Sequence, residues 1–250
     1  MRIIPVIDVK DGIVVRAVAG RRELYLPLRS RLTQSVEPFD VARALLDATG
    51  AKELYIADLD GLMRGEPNGA LLELAERLNV ELWLDVGLKN TDGWEAAPGV
   101  RPILATETWG NYPLPLRERV VCEADRVRGY SNTLDPSPRP EAGRPSPSRG
   151  EGEILNRPIL SLDYFSGVLR THREWNPADF ATAIVLDTAA VGVGEGLRTI
   201  YECIELRQQF RHLDLITGGG VRNRDDLRDL EDIGVNGVLI ASALHDGMMF

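Results

Sequence analysis

Three shortages narrow what this 250-residue chain can be. Its two cysteines, Cys122 and Cys203, stand in no metal-binding or dithiol spacing, so a reducing compartment is expected and cysteine-based metal or redox chemistry is not. Positive charge is scarce as well. The chain carries 29 Lys and Arg against 38 Asp and Glu, a net charge of −9, whereas a nucleic-acid surface needs clustered cations. Long apolar runs are missing too: none approaches a membrane span, and the first residues enter a short apolar run that ends in charge, unlike a signal peptide. A soluble, cytoplasmic protein with neither a nucleic-acid nor a membrane partner is expected. What the chain does have is apolar residues, 44% of the total, ample for one large α/β domain or two small ones.

The sequence also repeats itself. IIPVIDVKDGIVVR (3–16) is echoed by RPILSLDYFSGVLR (157–170), pairing Asp8 with Asp163, Gly12 with Gly167 and Arg16 with Arg170. LYIADLDGLMRGE (54–66) matches AIVLDTAAVGVGE (183–195), pairing Asp58 with Asp187 and Gly65 with Gly194. WLDVGLKNTD (83–92) matches ITGGGVRNRD (216–225), and ILATET (103–108) matches LIASAL (239–244) more weakly. Matched segments in one order imply two homologous halves, 1–122 and 157–250.

Short aliphatic runs alternate with polar stretches of helical period, the pattern of parallel strands joined by crossover helices. Strands are predicted near 3–8, 53–58, 81–86, 101–106, 158–163, 182–187, 213–217 and 236–241. Helices are predicted in PFDVARALLDATGA with Gly50 as its stop, in GALLELAERLN, in LRTIYECIELRQQF and in NRDDLRDLEDIG. Eight strands with intervening helices, in two halves, predict a single (β/α)8 barrel over residues 1–250, with the last helix short or absent. Residues 123–156 break the rhythm, being rich in Pro, Ser, Gly and Arg with almost no aliphatics. That composition predicts a disordered insertion before the fifth strand, since it buries too little apolar surface to offset ordering entropy.

Chemistry is expected at the C-terminal ends of the strands, where such barrels build their sites. Asp8, Asp58, Asp85, Asp163 and Asp187 end strands, and Asp60 follows closely. Asp8 and Asp163 occupy equivalent positions in the two halves, so they are the candidate general acid and base facing one substrate from opposite sides. Gly218, Gly219 and Gly220, after the seventh strand, let backbone amides approach an anion. Ala241 and Ser242 start a short helix after the eighth strand, which completes the usual phosphate cradle of such barrels. The corresponding place in the first half reads LDVGLKN, where Asp85 would set a negative charge against an incoming phosphate, so one strong phosphate site is expected. Trp175 and His172 could cover a substrate ring, and Trp109 could line the rim, packing being the alternative for each. His212 and His245 are expected on surfaces, and Lys10 and Arg16 are expected to pair with nearby acids.

These segments resemble the histidine-biosynthesis barrel family, and more its isomerase branch than its cyclase branch. IIPVIDVKDGIVVR, LYIADLDG, LSLDYFSGVLR, ITGGGVRNRDDL and GVNGVLIASALHDG fall in that family's order. The resemblance implies an Amadori-type aldose-to-ketose rearrangement of a phosphorylated sugar or sugar-amine. It places the two catalytic aspartates on Asp8 and Asp163 and phosphate binding on Gly218, Gly219, Gly220 and Ser242; from the residues themselves, Ala241 is expected to join that phosphate site and Asp58, Asp187 and Trp175 to contact substrate. It implies no metal and no organic cofactor. The chain departs from the family pattern in reading DVGLKN where the family has a Gly-Gly-Gly-Ile-Arg stretch, and LDTAAVG where it has a Thr-Asp pair followed by Asp-Gly. It is thus similar to divergent paralogues of that isomerase, including those of one-carbon and pterin-cofactor contexts. Two alternatives stay open: a metal-assisted aldolase or condensing enzyme using Asp58, Asp85 and Asp187, and a non-catalytic phosphate-ligand-binding barrel.

Overall fold

A computed structural model describes residues 1–89, 97–108, 157–171 and 175–248. The insertion expected at 123–156, Trp109 and His172 lie outside the described residues.

Eight parallel strands form a closed ring: β1 (Arg2–Lys10), β4 (Glu53–Asp58), β5 (Glu81–Asp85), β6 (Val100–Ala105), β7 (Ile159–Phe165), β9 (Thr182–Asp187), β10 (Asp214–Gly218) and β11 (Gly237–Ile240). Neighbours pair in that order, and β11 returns to β1 with Arg2 opposite Gly237 and Pro5 opposite Ile240. Each of the eight predicted strands is present to within about two residues. Closure removes every open edge, which is why these short β-branched runs need no charged or proline-blocked margin.

Side chains along each strand alternate between two cores. Inside the ring pack Ile4, Tyr55, Trp83, Ile103, Ile159, Ile184, Ile216 and Leu239, one from each stave. Outside it, Ile7, Leu54, Leu82, Leu160, Val185 and Leu215 meet the helices. The alternation also sets the site, because a residue an even number of places from an interior one also points inward. Asp8 follows Ile4 and Val6, Asp85 follows Trp83, and Asp163 follows Ile159 and Ser161.

The helices follow local signals. α1 (Pro38–Thr49) starts with Pro in its first turn and ends at Gly50, whose φ of 68° closes the cap onto the Leu46 carbonyl. α4 (Ile200–Gln209) and α5 (Arg224–Asp232) match their sequence signals, with Asn223 capping the latter through the Asp225 and Asp226 amides. GALLELAERLN does not form one helix: a 3₁₀ turn at Gly69–Leu71, capped by Asn68, precedes α3 (Glu73–Leu78). A further helix, α2 (Leu59–Arg64), starts directly at the end of β4, and α6 (Ser242–His245) is the short final one.

After the first strand of each half comes a hairpin that the strand pattern did not reveal. β2 (Ile13–Arg16) folds back on β1, with β3 (Leu26–Pro27) beside it, and β8 (Val168–Leu169) folds back on β7. Both turns have two central residues of positive φ, Asp11 and Gly12 at 52° and 78°, Ser166 and Gly167 at 54° and 77°. This is the tight primed turn that suits strand twist, and it explains the glycine four places after each aspartate. The register corrects one pairing of the repeat. Val15 lies opposite Asp8, and the Arg170 amide donates to the Asp163 carbonyl at 2.7 Å, so Arg170 matches Val15 and not Arg16.

Candidate active site

A cavity of about 350 Å³ opens at the C-terminal mouth of the barrel. Asp8 and Asp163 both line it, from β1 and β7, which stand four staves apart in a ring of eight and so face each other. Asp85, on β5, lines it as well.

The three carboxyls differ in their partners. Asp163 accepts from the Ser161 hydroxyl at 2.8 Å, while the Thr106 hydroxyl and the Glu107 amide approach its other oxygen at 3.5 Å. Burial, followed by the nearby negative charges of Glu107 and Asp85, pushes its pKa up to about 8. Asp8 receives no side-chain hydrogen bond among the described residues; burial raises it to about 7 despite the pull of the Arg22 guanidinium. Asp85 accepts from the Gly87 amide at 3.0 Å and the Tyr55 hydroxyl at 3.2 Å, and burial raises it to about 6. Three acids therefore titrate near neutrality, because they share a poorly solvated mouth and outnumber the cations that reach them.

Glu107, Arg22, Tyr25 and Tyr55 also line the cavity. Arg22 arrives on the excursion between β2 and β3 and pairs with Glu107 at 2.5 Å. None of the four was singled out from the sequence. Glu107 had a usable signal, since it continues the inward series Ile103, Ala105. Tyr55 had the same signal through its place between Leu54 and Ile56. Arg22 and Tyr25 had none, because only the packing of the excursion brings them over the mouth.

Beside the carboxyls, the loops after β9, β10 and β11 converge, contributing Gly192, Gly194, Gly219, Gly220, Ala241 and Ser242 to the lining. At Gly220 φ is +98°, and a Cβ would fall 2.1 Å from the Gly196 carbonyl oxygen, so only glycine lets these two loops meet. α6 adds its first turn, which has no side-chain cap among the described residues and brings Ser242 and Ala243 to the lining. This rim can present several backbone donors to one anion.

Other expected site residues lie elsewhere. Asp58 and Asp187 do not face the cavity. Each is one place out of phase with its inward-pointing neighbours and is buried on the outer side of its strand. Asp58 accepts from the Asp60, Gly61 and Asn68 amides, and Asp187 from the Ser166, Gly167 and Ala189 amides. Both fasten loops to strand ends, a positioning task that consumes their lone pairs. With them turned away, the three acids of the aldolase alternative do not gather, and no cluster of three or more possible metal ligands occurs among the described residues. Gly218 sits in β10 and not in the lining; a Cβ there would come 2.7 Å from that of Leu239, so its smallness serves sheet packing. Trp175 packs on Phe180 with ring centroids 6.0 Å apart and belongs to the outer core. His245 is buried, its Nδ1 3.0 Å from the Ser30 hydroxyl, and burial lowers its pKa to about 4. His212 is exposed, as expected. Arg16 forms a two-pronged pair with Asp246 at 2.8 and 2.6 Å, and Lys10 donates to the Arg22 carbonyl.

Comparison with known proteins agrees with this architecture. A family model described as histidine biosynthesis protein matches residues 2–99 and 167–249. An uncharacterized protein of Methanocaldococcus jannaschii is 31% identical, the alignment covering 100% of this chain and 95% of the relative. A relative from Methanothermobacter thermautotrophicus is 28% identical, covering 100% of this chain and 95% of its own. One from Syntrophomonas wolfei is 28% identical, covering 99% and 94%. The latter two are named phosphoribosyl-(phosphoribosylamino)methylideneamino-imidazole carboxamide isomerases.

Proposed function

The chain belongs to the histidine biosynthesis protein family, and from that premise we propose that it is an aldose-to-ketose isomerase acting on a phosphorylated sugar-amine, with Asp163 as general acid and Asp8 as general base. The observation that carries this reading is the pair of inward carboxyls on opposite staves of one mouth, beside a glycine rim. Asp163, raised to about 8, holds a proton at neutral pH, and Asp8, raised less, to about 7, is the more readily ionised of the two. In the reaction, the Asp163 carboxyl protonates the furanose ring oxygen as its bond to C1 breaks, and the nitrogen lone pair forms the C1–N double bond. The Asp8 carboxylate then removes the C2 proton, and those electrons form the C1–C2 double bond of a neutral enolamine. Transfer of the enol proton to C1 gives the aminoketose. The substrate is isomerised with no net gain or loss of protons, Asp8 ends protonated and Asp163 ionised, and passage of one proton from Asp8 to Asp163 through water restores the starting state.

The rim of Gly192, Gly194, Gly219, Gly220 and Ser242 binds the phosphate and fixes the sugar across the acid/base axis, where orientation supplies much of the rate. The test is solvent hydrogen uptake. Incubated in D2O with N-substituted aldosylamine phosphates, the protein should form an aminoketose carrying deuterium at C1, since C2 has become the carbonyl, and Asp8→Asn should stop it. Absence of a deuterated aminoketose with every such compound would refute the isomerase reading.

A further inference from the structure

Resting on that reading and narrowing it, we propose that Asp85 sets substrate choice: the mouth over β5 receives an amino group, so the substrate carries a single phosphate, at the glycine rim, and a nitrogen cation opposite it. Two axes cross at the mouth. Asp8 on β1 faces Asp163 on β7, and Asp85 on β5 stands four staves from β10, whose following loop supplies Gly219 and Gly220. In the internal repeat, Asp85 occupies the place that Gly218 holds in the second half.

Charge decides what the β5 end accepts. Among the described residues four arginines line the cavity, and each is already engaged: Arg16 with Asp246, Arg22 with Glu107 at 2.5 Å, Arg170 with Glu107 at 3.7 Å, and Arg222 with Asp226. Asp8, Asp85 and Asp163 have no ion pair among the described residues. Among the described residues Asp85 takes two neutral donors, the Gly87 amide and the Tyr55 hydroxyl, and it lines the cavity with acceptor capacity to spare. Burial raises its pKa to about 6, and the Glu107 charge adds to this against the pull of Arg22. Among the described residues lining the cavity, a phosphate at this end would meet three acids and a guanidinium, Arg22, already paired with Glu107, whereas an ammonium would gain charge-assisted hydrogen bonds to acceptors already in place. At the turn beyond Asp85 the Gly87 amide is already given to the Asp85 carboxylate, and Gly87 packs so closely that a Cβ would come 2.9 Å from the Leu62 Cα.

The experiment uses the full chain and titration calorimetry with four probes: inorganic phosphate, glucose 6-phosphate, glucosamine 6-phosphate and glucose 1,6-bisphosphate. Wild type should bind the aminosugar about tenfold more tightly than the neutral sugar and should gain nothing from the second phosphate. Asp85→Asn, which keeps the shape and the Gly87 contact, should erase the amine preference while leaving inorganic phosphate affinity unchanged. A wild-type preference for the bisphosphate, or an amine preference that survives Asp85→Asn, would overturn the inference and leave the isomerase reading standing. Failure of inorganic phosphate to bind wild type would overturn both.

Discussion

Replacing Asp163 by Asn should stabilise the protein at alkaline pH while abolishing deuterium uptake into the aminoketose. The Asp163 carboxyl is buried and raised to about 8 by burial and by the charges of Glu107 and Asp85. A carboxyl whose folded pKa exceeds its unfolded value contributes stability that is fully present below the unfolded pKa and is lost as pH rises through the folded one. Here the window runs from the ordinary carboxyl value of 3.8 to about 8. Each pKa unit corresponds to 1.36 kcal/mol, so between about pH 5.5 and about pH 9 this one group costs about 3 kcal/mol of folding free energy. Asn keeps the size and can still accept from the Ser161 hydroxyl, which lies 2.8 Å from Oδ1, but it never ionises. Urea unfolding at several pH values measures the difference. The wild-type midpoint should fall more steeply with pH than that of Asp163→Asn, and the curves should converge toward acid. Parallel profiles would show that Asp163 is not held protonated by its surroundings and would remove the basis for its role as acid.

The same acid and base should give kcat/KM a narrow optimum between about 7 and about 8, where Asp8 is ionised and Asp163 is not; a flat profile across that interval would contradict the pairing. Asp8→Asn should lower turnover about a thousandfold with phosphate affinity unchanged, which initial rates and calorimetry separate. Gly220→Ala should lower the melting temperature and abolish phosphate binding, because the new methyl collides with the Gly196 carbonyl at a positive φ, a strain of about 2 kcal/mol or more. At the opposite end of the barrel, Arg101 joins the Arg157 carbonyl, Glu81 and Thr182, so Arg101→Ala should cost about 3 kcal/mol by denaturant unfolding without altering phosphate affinity.

Strand positions were legible from the chain alone because each strand is a short apolar run with polar ends, and the signal for such a run is local. The repeat that pairs Asp8 with Asp163 was equally legible, and the ring places the two on facing staves. A period of two was also present in the sequence, and it separates Asp8, Asp85, Asp163 and Glu107, which point inward, from Asp58 and Asp187, which point outward. Reading strand ends without that phase is what grouped Asp58 and Asp187 with the site. Other features depended on contacts between segments far apart in the chain. Ring closure joins Arg2 to Gly237, the excursion after β2 carries Arg22 to Glu107, and Gly196 meets Gly220 only because two loops converge. No local pattern encodes such meetings, since they follow from how closed sheets place sequence-distant loops on one rim. The protonation states are likewise tertiary: the carboxyls titrate near neutrality because the barrel mouth withdraws them from water and crowds them together.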